Sequence, residues 1–121
     1  MFILFSMTAL AQTKESFTLN YGKQKTASKS KLKVMFVSVV EDSRCPVGVN
    51  CIWAGNAKVK VKIIGKRSTK EFEFNTNSGP KGDVFEGWSI VIDSLTPEPH
   101  TDKPISQASY KAKFTITRLQ R

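Results

Sequence analysis

The sequence predicts an all-β fold, an antiparallel β-sandwich of about seven strands in a single domain, and three observations carry that prediction. Apolar residues recur with a period of two along most of the chain, the pattern that sends successive side chains to opposite faces of a strand. No stretch repeats apolar groups at the i, i+3, i+4, i+7 spacing of a core-facing helix. The connectors are rich in Gly, Pro, Asn and Ser, residue types that reverse the chain. With 121 residues, 40% hydrophobic and 24% charged, the chain suffices for one core and reads as a folded, water-soluble class. A sandwich is favoured over a small closed barrel.

Residues 1–11 differ in composition from the rest of the chain. Phe2, Ile3, Leu4, Phe5, Met7 and Leu10 form a charge-free apolar run ending in Ala9-Leu10-Ala11. The small side chains at 9 and 11 suit signal peptidase, which predicts cleavage before Gln12 and makes 1–11 the remnant of a signal peptide. The run is too short for a membrane span, which takes about 20 apolar residues. The expectation is an exported protein, periplasmic or secreted, with one domain over 12–121.

In the mature chain, Phe17, Leu19 and Tyr21 alternate with Thr18 and Asn20 before a Gly22-Lys23 turn. Residues 32–40 are apolar on both faces, with Leu32, Val34, Phe36 and Val40 on one and Met35, Val37 and Val39 on the other, predicting a central strand covered on both sides. Ala57, Val59, Val61 and Ile63 alternate with Lys58, Lys60 and Lys62. Gly65-Lys66-Arg67-Ser68 then turns this strand into Phe72 and Phe74, which alternate with Glu71 and Glu73. The two form a hairpin whose lysines face glutamates across the strands. Residues 88–95, with Trp88, Ile90 and Ile92 on one face and Val91 and Leu95 on the other, read as a second strand covered on both sides, and Tyr110, Ala112, Phe114 and Ile116 as the last strand. Long connectors remain at 41–56, 76–87 and 96–108, where function is often carried.

The net charge of +9 either forms a solvated face that keeps the chain soluble or points to anionic partners, which for an exported protein means an anionic glycan such as a cell-wall polymer, lipopolysaccharide or an anionic lipid surface rather than nucleic acid. Lys58, Lys60, Lys62, Lys111 and Lys113 are candidates for one basic sheet face. Single-strand recognition also needs aromatics on that face, and here they fall on the opposite phase.

The segment Glu41-Asp42-Ser43-Arg44-Cys45-Pro46-Val47-Gly48-Val49-Asn50-Cys51-Ile52-Trp53-Ala54-Gly55-Asn56 is the part least explained by packing needs. Pro46, Gly48 and Asn50 permit the tight reversal that a Cys45–Cys51 disulfide requires, and an oxidising compartment preserves it. So small a ring stabilises a loop more than a fold, at about 2 kcal/mol. A metal site would need further ligands, and His100 is the sole imidazole. A redox dithiol would have closer cysteines at a helix start. No metal and no cofactor are expected.

Asp42, Ser43 and Arg44 flank the mouth of the ring, where a charge-assisted pair either fixes the loop or presents Arg44 to a partner. Trp53 either buries itself against the core or stands exposed beside Trp88 as a platform for a sugar ring. These residues and His100 are the candidate binding residues.

This segment resembles the signature of a family of small exported bacterial proteins of unknown function. In that family E-D-S-R-C-P, four variable residues and C-x-W-A-G connect two strands, as 41–55 do here. The resemblance extends to Leu95-Thr96-Pro97 with Pro99 and to Tyr110-Lys111-Ala112 with Phe114, and it implies no particular activity. Separately, Ile105 to Ile116 resembles the end of an immunoglobulin-like domain, where a tyrosine hydroxyl ties back to a corner. That resemblance implies a Greek-key strand order with Tyr110 as the corner residue.

The functional expectation is an envelope binding or structural module. The alternative is a protease-inhibitor-like protein presenting Arg44 on the rigid loop. A hydrolase built on Ser43, His100 and Asp42 is the third reading. It lacks a Gly-x-Ser-x-Gly or phosphate-cradling motif, so no catalytic residue is assigned and no enzyme is expected.

Overall fold

The computed structural model describes residues 13–119, so the apolar run expected to be a signal-peptide remnant, 1–11, lies outside the described residues. Eight strands form in chain order: β1 (Lys14–Asn20), β2 (Gln24–Thr26), β3 (Lys33–Asp42), β4 (Ala57–Ile64), β5 (Thr69–Asn75), β6 (Gly82–Phe85), β7 (Trp88–Thr96) and β8 (Lys111–Arg118). The only helical element among the described residues is a 3-10 turn, Gln107–Ser109. Two antiparallel four-stranded sheets result, β1-β8-β7-β6 and β2-β3-β4-β5. This is the expected sandwich, and it does not close into a barrel.

The strand order within the sandwich differs from a Greek key. Neighbours in each sheet follow one another along the chain, and β1 closes beside β8. Short turns favour this arrangement: Gly65–Ser68 joins β4 to β5, and Glu86-Gly87 joins β6 to β7, so each strand pairs with the next before the chain can cross.

The alternation read from the sequence supplies the core. Phe17, Leu19, Val34, Phe36, Val59, Val61, Ile63, Phe72, Phe74, Ile90, Ile92, Ala112, Phe114 and Ile116 all point between the sheets and are buried. Each large side chain so buried contributes about 1.5–3 kcal/mol of hydrophobic stabilisation. The β4–β5 hairpin sets Lys60 opposite Glu73 and Lys62 opposite Glu71. Its ion pairs run diagonally, Lys58 to Glu73 at 3.7 Å and Lys60 to Glu71 at 3.9 Å.

β3 departs from its expected form. Register shifts between Phe36 and Ser38 and between Val39 and Glu41 invert the alternation, so Val39 joins the core and Val40 is exposed. The strand is thus covered on one face. β2 pairs only with residues 33–35. Further along this edge of β3, the Gln107 amide takes the place of a strand, with its Oε1 accepting from Val39 N and its Nε2 donating to Val39 O.

At the end carrying the short turns, two carboxylates tie one sheet to the other. Glu15 on β1 accepts from the backbone N–H groups of Ser28 and Lys29 and from the Ser28 hydroxyl. Glu86 accepts from the N–H groups of Lys66, Arg67 and Ser68 and from the Ser68 hydroxyl. Burial pushes both carboxyl pKa values up, but these hydrogen bonds outweigh it and hold them below the ordinary glutamate value. The loops 43–56, 76–81 and 97–110 gather at the opposite end, and residues 82–85, expected as part of a connector over 76–87, instead form β6.

Lys58, Lys60 and Lys62 lie on the β2-β3-β4-β5 sheet, whereas Lys111 and Lys113 belong to the other sheet. The two groups therefore make no common basic face.

Candidate functional site

The loop between β3 and β4 is a ring closed by the Cys45–Cys51 disulfide, with the two Cα atoms 5.9 Å apart. Its base is built from the residues that end β3. Asp42 receives Arg44 in a bidentate pair, Nε to Oδ1 and Nη2 to Oδ2, both at 2.8 Å. The same guanidinium donates to the carbonyls of Leu95 at 2.6 Å and Pro97 at 2.8 Å, spanning from the β3–β4 loop to the end of β7. Tyr110 donates its hydroxyl to Asp42 Oδ2 at 2.8 Å.

Burial alone would raise the Asp42 pKa, yet the Arg44 and Tyr110 hydrogen bonds and the Arg44 charge bring it below the ordinary aspartate value. Tyr110 is pushed up to about 12, by burial and by the hydrogen bond it gives to the Asp42 carboxylate. The Arg44 pKa rises despite burial, held up by the hydrogen bond and charge of Asp42.

The far side of the loop is fixed as firmly. Ser43 N and Oγ both donate to Asn56 O, at 2.7 and 2.8 Å. The Asn56 side chain donates to Asn75 Oδ1 and accepts from the N–H groups of Asn77 and Ser78, which binds the 76–81 connector to the ring loop. Gly55 is required sterically. Its φ is +75°, and a Cβ there would lie 2.1 Å from the Ser43 carbonyl oxygen. Val47 N donates to Pro99 O, bringing in the third connector. Together the three connectors enclose an open cleft of about 300 Å³, lined by Arg44, Cys45, Gly55, Asn77, Glu98 and Pro99.

Two residues of the loop take no part in this bracing. Ile52 is 92% exposed and Trp53 81%, with Val47 and Val49 also exposed on the ring. Trp53 does not bury against the core as one sequence reading expected. Trp53 is also not beside Trp88. Trp88 begins β7 and packs partly against the core, while the loop meets the far end of that strand at Leu95, so about 23 Å of strand separates them.

Of the six candidate binding residues, the structure brings Asp42 and Arg44 into one network, ties Ser43 to Asn56, leaves Trp53 exposed at the tip and places Trp88 at the other end. His100 is exposed in the neighbouring β7–β8 connector, in a bridge with Lys103. Ser43 thus gives its hydroxyl hydrogen to a carbonyl oxygen rather than to an imidazole.

Sequence reasoning passed over Ile52, Asn56 and Asn77. A signal for the tip was present: residues 45–57 contain no charged side chain, in a chain where about every fourth residue is charged. Comparison with protein-family models, curated proteins and solved structures finds no match to this chain.

Proposed function

We propose that the protein is an exported envelope binding module that engages another protein through the Ile52–Trp53 tip of its disulfide-clamped loop. The observation that carries this reading is the exposure of two adjacent large apolar side chains on a loop whose base, Asp42 to Arg44 and Gly55 to Asn56, is held by hydrogen bonds and close backbone packing. Leaving them in water forgoes about 1.5–3 kcal/mol per side chain that burial would return. A bound partner recovers that energy, and the braced loop loses little conformational freedom on docking. Trp is among the side chains that dominate binding energy when seated in a partner pocket. The uncharged 45–57 run suits an apolar protein pocket better than a polyanion. The resemblance of 41–55 to the exported family signature and the disulfide support export.

The protease-inhibitor alternative depends on Arg44 reaching outward into an acidic pocket. Its guanidinium instead donates to Asp42, Leu95 and Pro97, and its side chain is 13% exposed. The geometry favours the tip.

A photo-activated cross-linker at Asn50, on the exposed ring, tests the reading in intact cells. The expected result is a discrete protein adduct that disappears when Ile52 and Trp53 are both replaced by Ser. A cross-linker at Thr18, exposed on the β1-β8-β7-β6 face, gives none. The absence of an adduct from Asn50, or an adduct indifferent to the Ile52→Ser/Trp53→Ser change, overturns it.

A further inference from the structure

The end of the sandwich opposite the loop carries an excess of positive charge. Lys29, Lys31 and Lys33 come from the β2–β3 turn and the start of β3, Lys66 and Arg67 from the β4–β5 turn, and Arg118 from the end of β8. The backbone brings them to one surface. Lys33 pairs with Ile64, which leads into the Lys66-Arg67 turn, and Glu86 accepts from that turn's N–H groups. Arg118 pairs with Trp88, next to the Glu86-Gly87 turn. Lys29 reaches the Lys14 carbonyl on β1 at 3.2 Å, completing the surface on the other edge.

Nearby negative charge offsets this only in part, since six cations face two carboxylates. The carboxylates of this end, Glu15 and Glu86, are occupied by turn N–H groups and hydroxyls. Among the described residues no ion pair involves any of the six cations, whereas Lys58, Lys60 and Arg44 elsewhere each have an acidic partner.

We propose that this end is a docking surface for an anionic lipid bilayer, holding the domain with its Ile52–Trp53 tip pointing away from the membrane. Three features favour a bilayer. Five of the cations come from the β2–β3 and β4–β5 turns and the start of β3 in one sheet, and Arg118 of β8 lies in the other sheet about 10 Å away, so the charge extends across the end of the sandwich. Four of the six are lysines, point charges that respond to the summed potential of a charged surface. Leu119, 42% exposed, adjoins Arg118 and supplies an apolar side chain at the same end.

Flotation with vesicles tests the proposal on the whole domain. Vesicles of about 30% phosphatidylglycerol in phosphatidylcholine retain the protein at about 50 mM NaCl and release it at about 500 mM, and pure phosphatidylcholine does not retain it. Lys29→Gln, Lys33→Gln, Lys66→Gln and Arg67→Gln together lower the partition at least about tenfold. Lys23→Gln, Lys81→Gln, Lys103→Gln and Lys111→Gln together, which remove the same charge away from this end, change it less than about threefold. Thermal unfolding of both variants establishes that they are folded. Equal losses in the two variants, no preference for anionic vesicles, or capture by a soluble linear polyanion without vesicle binding each overturn the proposal. Ile52→Ser/Trp53→Ser leaves the partition unchanged, so the bilayer surface and the protein-binding tip stand or fall separately.

Discussion

The Tyr110 hydroxyl donates to Asp42 Oδ2 across the two sheets, tying the residue before β8 to the last residue of β3. Through Asp42 the tie continues to Arg44 and on to the carbonyls of Leu95 and Pro97. One carboxylate thus anchors the ring loop to both sheets. The Asp42 and Arg44 side chains are 12% and 13% exposed, so water reaches the pair but does not dominate it.

Asp42→Asn is expected to cost about 2 kcal/mol of stability, below the roughly 3–5 of a fully buried pair because this one borders solvent. Tyr110→Phe removes one hydrogen bond to a charged acceptor and costs about 1.5 kcal/mol. In a double-mutant cycle the two changes should be non-additive, since both act on Oδ2. Urea unfolding of the four proteins measures this. The Tyr110 pKa is raised on folding, so its contribution is whole below about pH 10 and is lost as pH climbs through about 12. Tyr110→Phe should lack that alkaline loss.

Gly55 and Gly48 both have positive φ, +75° and +79°, but only at Gly55 would a Cβ collide with backbone. Gly48→Ala should cost about 1 kcal/mol, the price of a left-handed alanine. Gly55→Ala should cost at least about twice that and shift the amide resonances of Ser43 and Arg44, because the two strand ends must separate. Thermal unfolding and amide spectra of the two variants separate the cases.

Replacing Cys45 and Cys51 by Ser should leave the sheets intact. The ring is small, so the loss is about 2 kcal/mol, or a midpoint lower by about 10 °C for a domain of this size. The near-ultraviolet signal of Trp53 should change while the far-ultraviolet strand signal persists below the new midpoint.

Acid should unfasten the protein through named carboxyls. Folding lowers the pKa values of Asp42, Glu15 and Glu86, so the folded chain binds fewer protons than the unfolded one. Their contribution is complete above the unfolded carboxyl range, about pH 4–4.5, and is lost as pH falls through it toward the folded values. Glu15→Gln and Glu86→Gln should each be less stable than the parent at about pH 7 and lose less further stability between about pH 5 and 2.5, as read from urea midpoints.

Much of this architecture is written in local alternation. The Ala57–Ile63 run and the Phe72–Phe74 pair predict the β4–β5 hairpin because each strand has one wet face and one dry one. β3 is harder to read, since its two register shifts depend on β4 and on a Gln107 side chain 68 residues away, neither encoded in the run itself. Asp42, Ser43, Arg44 and the cysteines stand out by residue type, but their partners, Tyr110, Asn56 and the Leu95 and Pro97 carbonyls, are set by the tertiary fold. Trp53 is the instructive case. A tryptophan beside Ala-Gly suggests burial, yet Trp53 is 81% exposed, and the contacts of Ser43, Arg44 and Gly55 that set the base of the loop lie outside what the run itself reveals.

The most direct measurement is the thermal unfolding midpoint of the Ile52→Ser/Trp53→Ser protein. If the tip is a contact element without a share in the fold, the midpoint stays within about 2 °C of the parent, as for exposed substitutions generally. A fall of about 5 °C or more would make these residues structural and contradict the account.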